Sequence, residues 1–292
     1  MQAVSVSGAL GAEVRGLELR AATPDQLELV REWLHEHEVL FFREAHLTDD
    51  EHLVVARALG AVTVQPSARL RGATVPTFQW IEDGPDSPPE AESWHTDVTW
   101  TAEPPAYALL HCDVVPRRGG DTLWASMTAA YDALSPTTQR LISGLEVEHD
   151  NEPLIAGLVR SSRTAGTPEP VIARLSRELR AGFPPVTHPL VRTHPVTGRR
   201  ALFLGGDCMR RVTGMTEAES RSLLGFLARH IEGAGFQCRW RWSRGDLVIW
   251  DERSTVHRNV ADHFPQHRRI RRLTVDGDRP FFDPETRQPV LV

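Results

Sequence analysis

Within Ser93-Trp94-His95-Thr96-Asp97-Val98-Thr99-Trp100, an imidazole and a carboxylate stand two residues apart. In a strand, residues i and i+2 point to one face about 6.5–7 Å apart at the Cα, close enough for both side chains to reach one ion. His257, from a distant strand, is the candidate third ligand. It would complete a two-histidine, one-carboxylate face on an octahedral iron and leave three positions for small molecules. The same spacing recurs in His111-Cys112-Asp113, and acidic histidine runs stand at His35-Glu36-His37-Glu38 and His149-Asp150. The 35–38 run falls at the end of an expected helix, where adjacent residues do not share a face, so it reads as a solvated charge run. Spacing alone does not choose between His95 and His111.

Composition removes several other chemistries. All 33 basic residues are arginines, which excludes Schiff-base lysines, lysine general bases and the lysine of a phosphate-binding loop. Cys112, Cys208 and Cys238 stand far apart with no CxxC pair, so neither a disulfide framework nor a thiolate zinc site is expected. A net charge of −6 with no long basic run argues against nucleic acid as a partner. No segment reaches the roughly 18–20 apolar residues that span a bilayer, and the first residues lack a signal-peptide pattern. The expectation is a cytoplasmic protein with neither nucleic acid nor membrane as partner, its oligomeric state left open, a homo-oligomer included.

The elements that must position such a site announce their own ends. Thr23-Pro24-Asp25-Gln26, Thr48-Asp49-Asp50-Glu51, Ser135-Pro136 and Thr216-Glu217-Ala218-Glu219 open helices reaching about Glu38, Gly60, Gly144 and Gly233, by capping chemistry. Val39–Phe42 reads as a buried strand. Phe236, Cys238, Trp240 and Trp242 alternate with polar residues, the mark of a half-buried strand. Leu247–Trp250 and Ile270–Val275 follow as further strands. This order implies one α+β domain over 1–292, with a barrel or sandwich at its centre. Residues 65–92 and 151–187 are rich in Pro, Gly, Asp, Ser or Arg without a clear period and read as loops covering the site.

The longer motifs are more specific. Gly11-Ala12-Glu13-Val14-Arg15-Gly16, Trp94-His95-Thr96-Asp97-Val98-Thr99, Gly119-Gly120-Asp121-Thr122-Leu123-Trp124 and His188 to Pro195 occur in that order, followed by Gly245 to Asp251, Arg268 to Arg272 and Gly277-Asp278-Arg279-Pro280. Together they resemble the taurine dioxygenase and 2,4-dichlorophenoxyacetate dioxygenase family over nearly the whole chain. The resemblance implies a double-stranded β-helix, or jelly roll, with flanking helices. It also implies an oxygenase using iron(II), 2-oxoglutarate and O₂, with His95, Asp97 and His257 as iron ligands, and it leaves His111-Cys112-Asp113 as part of a core strand. By the same comparison Thr122 and Arg268 bind the distal carboxylate of 2-oxoglutarate, and Arg272 faces the acidic group of the substrate. Retention of Asp97 argues against halogenation, since related halogenases lack this carboxylate.

The residues themselves support the arginine assignments. If Arg268–Thr274 is a strand, Arg268, Ile270 and Arg272 share one face. Two arginines directed into a barrel need anionic partners, because an unpaired buried charge costs several kcal/mol. A core Asp or Glu would serve, and so would a dicarboxylate and an acidic substrate.

The substrate pocket departs from that of taurine dioxygenase. Gln65 stands about where that enzyme has a histidine on the sulfonate. An asparagine expected before Trp94 is absent, with Ala91, Glu92 and Ser93 there. Ile155 and Cys208 replace two pocket phenylalanines. A small anionic organic substrate other than taurine is therefore expected: an alkyl sulfonate or sulfate, an aryloxyalkanoate, or an amino-acid-like intermediate. The alternatives are a zinc-dependent hydrolase using the same three ligands and a noncatalytic ligand-binding barrel.

Overall fold

The computed structural model describes residues 1–70, 72–89, 93–164 and 166–286. Ala91 and Glu92 therefore lie outside the described residues. In chain order the strands are β1 Gln2–Ser5, β2 Ala12–Arg15, β3 Val39–Phe42, β4 Gln79–Asp83, β5 Tyr107–Val114, β6 Thr122–Ser126, β7 Glu146–His149 and β8 Val186–Pro189. They continue as β9 Val191–Thr193, β10 Arg200–Leu202, β11 Met209–Val212, β12 Gln237–Trp240, β13 Leu247–Asp251, β14 Thr255–Asn259 and β15 Arg268–Val275. The helices are α1 Pro24–His37, α2 Asp49–Leu59, α3 Pro66–Arg69, α4 Met127–Asp132, α5 Pro136–Ile142, α6 Glu152–Thr164, α7 Glu169–Gly182 and α8 Glu217–His230.

Two sheets form the double-stranded β-helix. The larger runs β1-β2-β3-β13-β5-β15-β4, and the smaller runs β12-β6-β14. Leu110, Cys112, Trp250 and Ile270 of the first meet Trp124, Cys238 and Trp240 of the second in one buried cluster. Every residue of β13 is buried, as a strand paired on both edges and covered on both faces requires. The outer face of the larger sheet packs under α1 and α2 through Val30, Leu34, Val55 and Leu59. The smaller sheet is backed by α4, α5 and α8.

The capping signals hold: Thr23, Thr48 and Thr216 each complete a capping box. Cys238 and Trp240 are buried on β12 while Arg239 is exposed, as the alternation implied. Residues 151–187 differ from the loop expected. They hold two long helices, α6 and α7, because Pro153, Pro168 and Pro170 sit at helix starts, where a missing N–H costs nothing. Likewise 65–92 contains α3 and β4. The 35–38 run is solvated only in part: Glu36 is exposed, but Glu38 is not. Glu38 is only 3 % exposed, turned inward by a left-handed backbone at φ 63°, and burial pushes its carboxyl up to about 7.

Candidate active site

His95 does not lie in a regular strand. It forms an isolated antiparallel bridge with His257 of β14, in which each backbone N–H donates to the other's carbonyl, at 3.1 and 2.9 Å. The chain then turns sharply at Val98, whose φ of 56° is unusual for a β-branched residue. The Thr101 N–H and hydroxyl both donate to the Val98 carbonyl, at 3.1 and 2.9 Å. A bridge and a turn, rather than strand pleating, bring the two ligand candidates to one side. His95 Nε2 lies 3.7 Å from Asp97 Oδ1, and one donor atom from each of His95, Asp97 and His257 lies within 4.8 Å of the others.

The donor chemistry fits a divalent cation. His95 Nδ1 donates to the Ser93 carbonyl at 2.9 Å, which fixes the tautomer and leaves Nε2 with its lone pair outward. His257 Nδ1 is buried without a hydrogen-bond partner among the described residues, and burial together with the neighbouring His95 pushes the ring down to about 3, so it is neutral and able to ligate. Burial opposes ionisation of Asp97, but Arg272 and the two imidazoles outweigh it and hold this carboxyl well below the usual carboxylate range. Two imidazoles and one carboxylate make a facial set with open positions.

Neighbours that spacing did not reveal orient this set. Arg272 Nη1 donates to Asp97 Oδ2, and its Nε and Nη2 donate to Gln79 Oε1 of β4 at 3.2 and 2.7 Å. The Asp97 backbone N–H donates to Glu252 Oε2 at 3.1 Å, while Trp250 Nε1 donates to Glu252 Oε1 at 2.8 Å. Burial and the adjacent Asp97 push the Glu252 carboxyl well above its ordinary range. Gly206 packs so closely on the metal loop that a Cβ there would lie 2.7 Å from the Trp94 carbonyl and 2.9 Å from His95 Cβ.

The expected interior face of β15 is present. Ile270 belongs to the inter-sheet core; Arg268 is 3 % exposed, with Nη1 3.6 Å from Asp83 Oδ2. Arg271 points the other way, to Asp49, Leu47 and Asp113. Thr122 is buried, and its hydroxyl accepts from Trp242 Nε1 at 3.1 Å. Gly120, two residues before Thr122, packs on the Arg268 stem: a Cβ there would lie 3.1 Å from Arg268 Cδ. His111 is a structural residue of β5, bound to Asp113 and accepting from the Leu47 N–H at 3.2 Å. His149 is buried beside Thr99, 3.0 Å from its hydroxyl.

The three pocket candidates divide between two places. Gln65 lines a cavity of about 430 Å³ together with Val98, Trp100, Phe183 and Thr274. The Trp100 and Phe183 rings meet edge to face at 4.7 Å, so the end of α7 does stand over the turn that follows Asp97. Ile155 of α6 is buried, while Cys208 is half-buried in a single turn that α6 touches. Burial first, then nearby carboxylates that include Asp97, push the Cys208 thiol up to about 11. None of the cavities described contains the three ligand candidates.

Comparison with known proteins agrees with this architecture. The family described as "Taurine catabolism dioxygenase TauD, TfdA family" matches residues 3–274. The alpha-ketoglutarate-dependent sulfate ester dioxygenase of Pseudomonas putida is 36% identical over 283 residues, covering 94% of this chain and 89% of that one. The alpha-ketoglutarate-dependent 2,4-dichlorophenoxyacetate dioxygenase of Cupriavidus pinatubonensis is 32% identical over 285 residues, 91% of this chain and 94% of its own. Among solved structures, AAD-2 in complex with Mn(II) and N-oxalylglycine superposes with a TM-score of 0.74 at 30% identity, covering 97% of this chain and 99% of that one. Neither the zinc hydrolase nor the noncatalytic barrel finds support in these matches.

Proposed function

We propose a substrate class and a set of site residues for this chain, which belongs to the TauD, TfdA family and is an iron(II)- and 2-oxoglutarate-dependent dioxygenase. The observation that carries the site assignment is the convergence of two imidazoles and a carboxylate from distant parts of the chain. His95, Asp97 and His257 would hold the iron. Thr122 of β6 and Arg268 of β15, both buried, would take the distal carboxylate of 2-oxoglutarate. Bound together with O₂, these cofactors supply the oxidising power that replaces a substrate C–H by C–OH, with succinate and CO₂ as coproducts.

The protein's own part is orientation and exclusion of water. Glu252 and Arg272 grip Asp97 from its backbone and side-chain ends, which fixes the direction of its oxygens. Arg272 also places a cationic group beside the metal position, where it faces the acidic group of the substrate. Gln65 lines one wall, Ile155 and Cys208 another, and the segments 65–92 and 151–187 cover the whole within a single domain.

The substrate is a small organic anion other than taurine: an alkyl sulfate or sulfonate, an aryloxyalkanoate, or an amino-acid-like intermediate. Gln65, Ile155 and Cys208 support this, as do relatives named for sulfate esters, sulfonates and 2,4-dichlorophenoxyacetate. With a sulfate ester or sulfonate, hydroxylation of the carbon bearing oxygen or sulfur collapses to a carbonyl and releases the anion. The net charge of −6 supports small molecules rather than nucleic acid as partners, and the enzyme is read as cytoplasmic. Among the described residues no helix is long and apolar enough to cross a membrane. Succinate formation across a panel of organic acids tests the substrate class, and preference for taurine over every other acid would overturn it.

A further inference from the structure

Asp83 is an interior carboxylate of β4 that the reaction described above does not use. It is register partner to Arg268 across the β4–β15 pair, and its side chain is 13 % exposed. Its Oδ2 lies 3.6 Å from Arg268 Nη1 and 3.2 Å from Nε2 of His263. His263 is itself 1 % exposed. Gly120, with φ 71°, closes over the same group: a Cβ there would lie 3.1 Å from Arg268 Cδ and 3.2 Å from His263 Nδ1. One carboxylate oxygen is thus shared between an arginine and an imidazole in a site with little room.

We propose that Asp83 is a counter-ion of Arg268 and competes with the distal carboxylate of 2-oxoglutarate for it. The inference rests on the reading of Arg268 as the cosubstrate's anchor. Without cosubstrate, a guanidinium buried this deeply needs an anion nearby, and Asp83 supplies it. The contact, at 3.6 Å, is too long for a hydrogen bond and acts on Arg268 through charge. When the second carboxylate arrives, two anions face one cation, and their repulsion lowers affinity. His263, donating to Asp83 from the other side, retains that carboxylate when Arg268 turns to the cosubstrate. Asp83 is therefore a positioning residue that sets cosubstrate affinity and keeps the empty site folded.

Calorimetric binding of 2-oxoglutarate to the Fe(II)-loaded protein under argon tests this, with melting temperatures of the metal-free protein measured alongside. Asp83→Asn should tighten 2-oxoglutarate by roughly three- to tenfold, lower the melting temperature of the metal-free protein, and enlarge the rise that 2-oxoglutarate gives. Asp83→Glu, which keeps the charge, should stay near wild type. His263→Phe, which leaves Asp83 to Arg268 alone, should weaken binding. Tighter binding is not a result that general structural damage produces. Unchanged or weaker binding in Asp83→Asn, with Arg268→Gln losing affinity, would overturn the role of Asp83. If Arg268→Gln binds 2-oxoglutarate as wild type does, the anchor reading itself fails.

Discussion

His95 and His257, 162 positions apart in sequence, exchange a pair of backbone hydrogen bonds of 3.1 and 2.9 Å, and their rings stand 4.4 Å apart between centroids. The bridge sets the separation of two ligand candidates through the main chain. Gly206 bears on this arrangement directly. Its φ of 59° and the 2.7 Å approach of a Cβ to the Trp94 carbonyl make Gly206→Ala a strained substitution. Iron affinity should fall by at least tenfold, measured by anaerobic metal titration, while circular dichroism retains the overall fold.

Arg268→Ala should raise the KM for 2-oxoglutarate far more than it lowers kcat. Losing one partner of a buried charge pair costs about 2–5 kcal/mol, equivalent to roughly 30-fold or more in affinity. Steady-state kinetics with the cosubstrate varied checks this, and an unchanged KM would remove Arg268 from the cosubstrate site.

Glu38 sets one pH dependence of stability. Burial raises its folded-state value to about 7 from 4.5, so the folded state binds a proton that the unfolded chain has lost. The stabilisation is complete below about pH 4.5 and fades as pH rises through about 7. Glu38→Gln mimics the protonated group and can still accept from the Thr128 hydroxyl, as Glu38 does now. It should raise the melting temperature at pH 8 and have little effect at pH 5.

His52 and His149 act in the opposite sense. Burial holds His52 well below 6.5 and pushes His149 down to about 3, and neither ring nitrogen of His52 has a hydrogen-bond partner among the described residues. The unfolded chain takes up these protons first, so stability is full above about pH 6.5 and is lost as pH falls through the folded-state values. Each such residue contributes a slope of up to about 1.4 kcal/mol per pH unit. Denaturant titrations of wild type and His52→Leu between pH 7 and 5 should differ by close to one proton in linkage.

How far these residues could be read from sequence depends on whether their chemistry is local. Capping boxes at Thr23, Thr48 and Thr216 satisfy donors three residues away, so the helices they open were legible. The alternation around Cys238 and Trp240 likewise reports a face of one strand. Helices α6 and α7 were missed because the prolines that mark their starts look like breaks when the surrounding period is weak. Glu38 was misread because one left-handed residue turned it from the helix end into the core. Glu252, Gln79 and Asp83 escaped for another reason: each acts on a residue at least 155 positions away, and no local pattern encodes such a pairing. His95 and His111 share one spacing, and only long motifs, then the bridge to His257, separated them.

In the proposed site His95, Asp97 and His257 would hold iron(II) while Arg268 and Thr122 anchor 2-oxoglutarate. Anaerobic addition of iron(II) and 2-oxoglutarate to the purified protein, followed by visible absorbance for wild type, His257→Ala and Arg268→Ala, tests it most directly. A metal-to-ligand charge-transfer band in wild type that disappears in His257→Ala and needs far more cosubstrate in Arg268→Ala is the expected result. A folded, iron-loaded wild type without that band, or a band undiminished in His257→Ala, would contradict it.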